Sequence, residues 1–299
     1  MSNRKIRLDS SSLEYSSCLR RFQFVNRVGL IPKISHAALD WGSAFHKAAA
    51  EWEISKVRGS VDTVAIIDRA IEWYNSRMCL KDEPRSGPNL RRALEEYFLE
   101  YASDEFVPLT LESGEVAVEL PFEIPLLSVH NTDVVLCGKM DGIGFYGKDG
   151  SIVVKDIKTS TSTKVDSHLE EQLHRPQFHI YVEVLRRLGL VDAGGRAVRV
   201  VIDGVYISKQ FQGAKLRRTP PTVIEDFIIE RTMEHVMCEA ERIARLSDDI
   251  AWPHNYGACH GKYSICPFYD LCSVPTLSQS AAIDFLFAKR EYNPSTFDE

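Results

Sequence analysis

The stretch Gly138–Thr159, GKMDGIGFYGKDGSIVVKDIKT, constrains this chain more than any other. Its Val, Ile and aromatic content predicts two β-strands, and Gly147-Lys148-Asp149-Gly150 between them supplies the chemistry of a tight hairpin turn. The first strand carries Asp141, and the second carries Asp156 and Lys158. Side chains alternate faces with period two, so Asp156 and Lys158 share one side of their strand. Two carboxylates and a lysine on neighbouring strands can hold a divalent metal and orient a water beside it. The plain alternative is a solvated, alternating strand face. Against it, the Asp-X-Lys triplet closes the apolar run Ile152-Val153-Val154, and a second acid lies one hairpin away. Gly138, Gly142 and Gly144 leave room for close approach of another backbone or a ligand.

A chain of 299 residues has room for one sizeable α/β domain with an insertion, or for two modest domains. Its formal charge of −6 means that contact with nucleic acid has to come from local basic patches. No run approaches the ~20 apolar residues of a membrane span, and MSNRKIRLDS at the start lacks an apolar signal core. The expectation is a cytoplasmic, reducing setting without membrane contact, in which the seven cysteines are ligands or buried thiols and not disulfides. No internal repeat, low-complexity tract or phosphate-binding loop of the Gly-rich Lys-Ser/Thr type is present.

In chain order, Ser10–Tyr15 carries a helix-start pattern, and a first helix is expected through Cys18-Leu19-Arg20-Arg21-Phe22 until Pro32 breaks it. Ala37–Trp52 reads as a helix with His46 one turn after Gly42 on the same face. Val61–Phe106 reads as two or three further helices interrupted at Pro84 and Gly87-Pro88, a helical insertion covering one side of the core. Glu115–Leu127 alternates like a strand, with Glu119 either its functional acid or a solvated glutamate. After the hairpin comes a Ser/Thr-rich turn, then a helix ending at Leu188-Gly189 that places Gln177 and Tyr181, four apart, on one face. Arg199–Ser208 is an expected strand, followed by a basic loop with Lys209, Lys215, Arg217 and Arg218 and an amphipathic helix from about Thr222 to Leu246.

Cys259, Cys266 and Cys272 fall close together, with Tyr263, Phe268 and Tyr269 interleaved, and Cys18 is the best-placed fourth ligand. Zinc is satisfied by four cysteines, but the C-x2-C knuckles usual in structural zinc sites are missing. The Cys266-Pro267 pair in a cysteine-rich run is compatible with an iron–sulfur ligand set. Cys79, Cys137 and Cys238 lie in apolar patterns and read as buried thiols.

The motifs GSAFH, GKMDG, KDIKT and QFHIY, in that order, resemble those of the PD-(D/E)XK nuclease superfamily, specifically its RecB-like branch. The early cysteine with CHGKYSICPFYDLC resembles the iron–sulfur ring of Cas4 and AddB proteins and their phage relatives. Where Cas4 and AddB proteins have C-x2-C, this chain has C-x6-C between Cys259 and Cys266, which points toward the phage-type relatives.

The resemblance implies a restriction-endonuclease-like α/β fold, a mixed central sheet flanked by helices, over residues 1–275. Residues 47–108 would be the helical insertion, 10–25 and 252–273 a cluster-binding element, and 276–299 a C-terminal tail. It implies that His46, Asp141 and Asp156, with the Ile157 carbonyl, hold Mg²⁺ or Mn²⁺, and that Lys158 orients the attacking water and stabilises charge on the phosphate. Gln177 and Tyr181 would support the site and contact the DNA strand. Cys18, Cys259, Cys266 and Cys272 would hold a [4Fe–4S] cluster, with zinc as the alternative.

The function implied is a metal-dependent DNA exonuclease on single-stranded ends, in recombination, repair or phage DNA metabolism, with a helicase, recombinase or single-strand-binding protein in trans. Two alternatives stand beside it: a non-catalytic DNA-end-binding or assembly subunit, and a Cas4-like trimming factor in CRISPR spacer acquisition. Arg20, Arg21, Lys215, Arg217 and Arg218 are candidates for backbone contacts, and Tyr263 and Phe268 for base stacking.

Overall fold

The structure is a computed structural model that describes residues 4–77, 79–80, 84–147, 150–191, 197–209, 213–260, 265–275 and 278–294. The expected turn at Lys148-Asp149, Tyr263 and the Cys79 side chain lie outside the described residues. The chain forms two compact units, one of residues 35–120 and 139–230 and the other of 1–34, 121–138 and 231–299.

The unit of residues 35–120 and 139–230 is built on a mixed sheet. The expected hairpin forms from the strands Thr132–Tyr146 and Ser151–Ser160, paired antiparallel from Gly142↔Lys155 to Tyr146↔Ser151. Ser151–Ser160 then pairs in parallel with Arg199–Tyr206, setting Asp156 beside Ile202 and Lys158 beside Gly204. Parallel neighbours need a crossover, and the helices Val165–Leu173 and Pro176–Arg187 supply it. Gly144 has a structural reason: a Cβ there would meet the Val107 carbonyl at 2.2 Å, so the glycine admits the neighbouring Phe106–Pro108 strand and no ligand.

On one face of this sheet lie three helices, Ala37–Arg58, Thr63–Ser76 and Gly87–Glu100. Trp41, Phe45 and Trp52 recur along the first at helical spacing and bury against Tyr74, Tyr97 and Phe98 of the others, together with Ile157 and Val205 of the sheet. Pro88 falls in the first turn of the third helix, where a missing N–H costs nothing.

Three expectations need correction here. Residues 215–218 are no loop: Lys215–Arg218 is a strand paired antiparallel with Arg199–Tyr206. The Arg218 side chain turns inward, bridging Asp104 and Asp203 over the Tyr101 ring, so it is unavailable to a phosphate. The long amphipathic helix begins at Asp226 and not at Thr222, because Thr222–Val223 is drawn into the sheet edge beside Arg199–Tyr206.

In the other unit, Arg4–Leu8 pairs in parallel with Thr132–Leu136. Cys18 precedes the short helix Leu19–Phe22, which continues as a π-helical turn over Gln23–Arg27. The C-terminal segment docks on it: Arg20 N–H donates to the Pro253 carbonyl, Asn255 donates to the Ser17 carbonyl, and Phe22 stacks on Trp252. Residues expected as a polar tail hold the helix Gln279–Leu286 and the strand Phe287–Lys289, which pairs with Leu30–Pro32. Phe268 is not a stacking surface: it is buried with Phe24, Leu30, Leu271 and Phe287. Cys137 is buried as expected, but Cys238 is exposed, because the helix turns Met233, Val236 and Ala240 inward and leaves residue 238 on the polar side. No helix of the described residues is long and apolar enough to cross a membrane.

Candidate metal centre and active site

The site lies within the unit of residues 35–120 and 139–230, where the hairpin ladder ends. Asp141 sits one residue past the Gly142↔Lys155 pair, and its Oδ2 accepts the Ile157 N–H at 2.8 Å. The same oxygen faces His46 Nδ1 at 3.1 Å. His46 reaches it from the Ala37–Arg58 helix, whose turn around Gly42 comes close to the sheet: a Cβ at Gly42 would meet Thr159 Oγ1 at 3.2 Å. Burial alone would lower the imidazole pKa, but Asp141, Glu119 and Asp156 reverse this and raise it to about 9. The protonated ring in turn holds Asp141 below the ordinary carboxylate value, against the upward push of burial.

Asp156 is almost fully buried, and burial raises it to about 6, with the Asp141 charge adding to the rise and Lys158 opposing it. Its Oδ2 lies 2.9 Å from Lys158 Nζ, and its Oδ1 accepts from Gln177 Nε2 at 3.1 Å. Lys158 Nζ also donates to Gln177 Oε1 at 2.9 Å. Gln177 Nε2 donates to the Tyr181 hydroxyl at 2.8 Å, and that hydroxyl donates to the Lys139 carbonyl at 2.7 Å. The glutamine and tyrosine therefore lock Asp156 and Lys158 in place from the Pro176–Arg187 helix, as their four-residue spacing allows.

Glu119 joins this group. Its Oε1 lies 4.0 Å from His46 Nδ1 and its Oε2 3.5 Å from Lys139 Nζ. It adopts φ 50°, a left-handed backbone unusual for a residue with a side chain, of the kind that collects at functional sites. The ligand atoms of His46, Glu119 and Asp141 lie within 4.8 Å of one another, so these three could hold a metal ion. Two hard carboxylates and an imidazole fit Mn²⁺ as well as Mg²⁺. Asp156, expected as a ligand, is beside them but engaged: its Oδ2 faces the Lys158 ammonium at 2.9 Å and its Oδ1 accepts from Gln177. Sequence alternation had marked Glu119 as an acid but could not place it, because its backbone departs from strand geometry.

The four expected cluster ligands all belong to the other unit. Cys18 is buried, and Cys259, Cys266 and Cys272 are partly so. Cys266 N–H donates to the Cys259 carbonyl at 2.8 Å. Burial raises the Cys272 thiol to about 11; the charges of Cys266, Cys18 and Cys259 add to this, and Arg20 opposes it. Arg20 stacks on Phe24 and bonds Gln23 and Gln279, beside Cys18 and Cys272.

A mixed sheet flanked by helices, with two acids and a lysine where its central hairpin opens, is consistent with a restriction-endonuclease-like fold. A model of the PD-(D/E)XK nuclease superfamily matches residues 10–273, and the chain belongs to that superfamily. Its members are generally nucleases, hydrolases that use divalent metals. Among solved structures, the crystal structure of SSO0001 is similar over 78% of this chain and 76% of its own, at 15% identity and a TM-score of 0.30. No curated protein matches the chain in sequence.

Proposed function

We propose that this protein is a metal-dependent DNA exonuclease of the RecB-like branch, acting on single-stranded ends in recombination, repair or phage DNA metabolism. The observation that carries the reading is the convergence of His46, Glu119 and Asp141 beside the Asp156–Lys158–Gln177 triad. His46, Glu119, Asp141 and Asp156 would hold the divalent ion, which when bound supplies charge neutralisation at the phosphate and a more acidic water. Lys158 offers an ammonium already aimed by two partners, suited to orient the attacking water and to offset charge on the phosphate. Gln177 and Tyr181 keep that ammonium and Asp156 from collapsing onto other groups. A subunit that only bound DNA ends would not require this set of four.

The same reading assigns Cys18, Cys259, Cys266 and Cys272 to a [4Fe–4S] cluster that joins the two chain ends. Support comes from four free thiols within reach of one another's charge, beside the Arg20 cation. The proposed partners are DNA and a helicase, recombinase or single-strand-binding protein in trans.

The deciding experiment incubates the protein with end-labelled single- and double-stranded DNA and Mg²⁺ or Mn²⁺, alongside Asp156→Ala. Stepwise loss from single-stranded ends, abolished in the variant, is the expected outcome. Undiminished cleavage by Asp156→Ala would overturn the site.

A further inference from the structure

The unit of residues 1–34, 121–138 and 231–299 contains an open cleft of about 550 Å³, made of residues none of which belongs to the candidate active site. Lys5, Arg7, Arg27, Lys289 and Arg290 line it, with Glu291 the carboxylate among them. Such a concentration of cations is unexpected on a chain of net charge −6 and calls for a polyanionic occupant. We propose that this cleft takes the sugar–phosphate backbone of a DNA strand, a contact additional to the one at the metal centre. It rests on the nuclease reading for the identity of the polyanion.

The cleft is built for the purpose by several elements. Lys5 and Arg7 alternate along the Arg4–Leu8 strand and so stand on one face. Arg27 is held rigidly, donating to the Lys5 carbonyl at 2.8 Å and to Asp248 Oδ2 at 2.7 Å. Lys289 ends the strand that pairs with Leu30–Pro32, and Arg290 follows directly after it. Gly29, at φ 73°, accepts the Arg290 N–H at 2.9 Å, and a Cβ there would meet the Arg290 carbonyl oxygen at 1.9 Å. Only glycine lets these two segments close to form the wall.

The carboxylates nearby tune the cleft without filling it. Glu123 pairs with Lys5 and Arg7, and Asp248 with Arg27, which orders the cations while leaving them in excess. Glu291, whose side chain is 78% exposed, pairs with Arg7 Nη1 at 2.7 Å and is the group an entering phosphate would displace. Surface pairs of this kind contribute little to folding, so exchanging Glu291 for phosphate is inexpensive.

The test uses the full chain in EDTA, so that no divalent ion supports cleavage, and a fluorescein-labelled single-stranded oligonucleotide read by anisotropy across a salt series. The double variant Lys289→Ala/Arg290→Ala should bind more weakly, its log K against log salt flattened by roughly 0.7 for each lost single-strand phosphate contact. Glu291→Gln should bind more tightly than the unaltered protein, with a steeper slope, a gain that a misfolded variant cannot give. Both variants should hydrolyse the small diester bis(p-nitrophenyl) phosphate with Mn²⁺ at the unaltered rate. Unchanged affinity and slope in both variants, with diester hydrolysis intact, would overturn the cleft and leave the nuclease reading standing. Tighter binding of anionic phospholipid vesicles than of the oligonucleotide would overturn it too. A protein whose DNA binding responds to both variants but which hydrolyses nothing would overturn the nuclease reading alone.

Discussion

Lys158 holds its ammonium 2.9 Å from both Asp156 Oδ2 and Gln177 Oε1, so its charge is aimed before any substrate arrives. Replacing it by alanine removes that charge and leaves His46, Glu119 and Asp141 in place. Lys158→Ala is therefore expected to slow cleavage by about 10²–10³-fold, the scale of one lost preorganised group, with Mn²⁺ affinity retained. Single-turnover cleavage of end-labelled DNA, with calorimetric Mn²⁺ titration beside it, separates the two effects; full-rate cleavage would remove Lys158 from the chemistry. Glu119 allows a sharper test, because its φ of 50° costs a side-chain-bearing residue about 1 kcal/mol that glycine avoids. Glu119→Gly should weaken Mn²⁺ binding, and the strain relieved at its backbone should offset part of the loss of its partly buried contacts to Lys139 and His46, so that the urea midpoint falls less than in Glu119→Ala. A midpoint for Glu119→Gly at or below that of Glu119→Ala would show that the backbone there is not strained.

At the scale of elements, the Lys215–Arg218 strand shows where local reading stops. Four cations in ten residues look like a phosphate-binding loop, yet the fate of Arg218 depends on Asp203, 15 residues back, and Asp104, 114 back. The pairing of that strand with Arg199–Tyr206 sets Arg218 opposite Asp203, and Asp104 arrives from the segment just before the Phe106–Pro108 strand. Arg218→Ala leaves two nearly buried carboxylates without their cation, and should destabilise the protein by about 3–5 kcal/mol in urea melts. Burial would raise Asp104, but Arg218 more than offsets this and holds it below its ordinary value. Its folded pKa thus lies under its unfolded one, so the stabilisation is present above about pH 4 and is lost as pH falls through the folded value. Arg218→Ala lacks this acid-labile contribution, so its stability deficit against the unaltered protein should shrink as pH falls through the folded value; a deficit that stays constant into acid would mean the charge pair contributes nothing. The hairpin was legible for the opposite reason: alternation, a Gly-rich turn and an apolar run all lie within 22 residues, and they fixed the order in which Asp141, Asp156 and Lys158 meet. Gln177 and Tyr181 followed from helical spacing. Glu119 and the inward turn of Phe268 did not, because each is set by a backbone or a partner that no local pattern records.

For the molecule as a whole, the question is what keeps the first and last segments of a 299-residue chain together. Their contacts include a backbone bond from Arg20 to Pro253, the Asn255 bond to Ser17, the Phe22–Trp252 stack, the bonds of Gln23 to Ile250 and Trp252, and the pairing of Phe287–Lys289 with Leu30–Pro32. The apolar cluster around Phe24, Phe268 and Phe287 adds to these but is small, and Cys266 and Cys272 pack at its edge. A metal group gripping Cys18 on one segment and Cys259, Cys266 and Cys272 on the other would make its binding energy folding energy, because no such site exists until the segments meet. Closing a loop from Cys18 to Cys259 also restricts the unfolded chain, and the entropy removed grows with loop length. Protein purified without oxygen is therefore expected to be brown, with broad visible absorption from sulfur-to-iron charge transfer. Cys18→Ala should lose the colour and fall in thermal midpoint, whereas Cys238→Ala, exposed and outside the set, should keep both. Phosphodiester hydrolysis moves no electrons, so a cluster held there would be structural, and loss of activity in Cys18→Ala should track loss of fold in parallel circular dichroism. Colourless, well-folded protein with one equivalent of zinc would replace the cluster by zinc and leave the nuclease centre untouched.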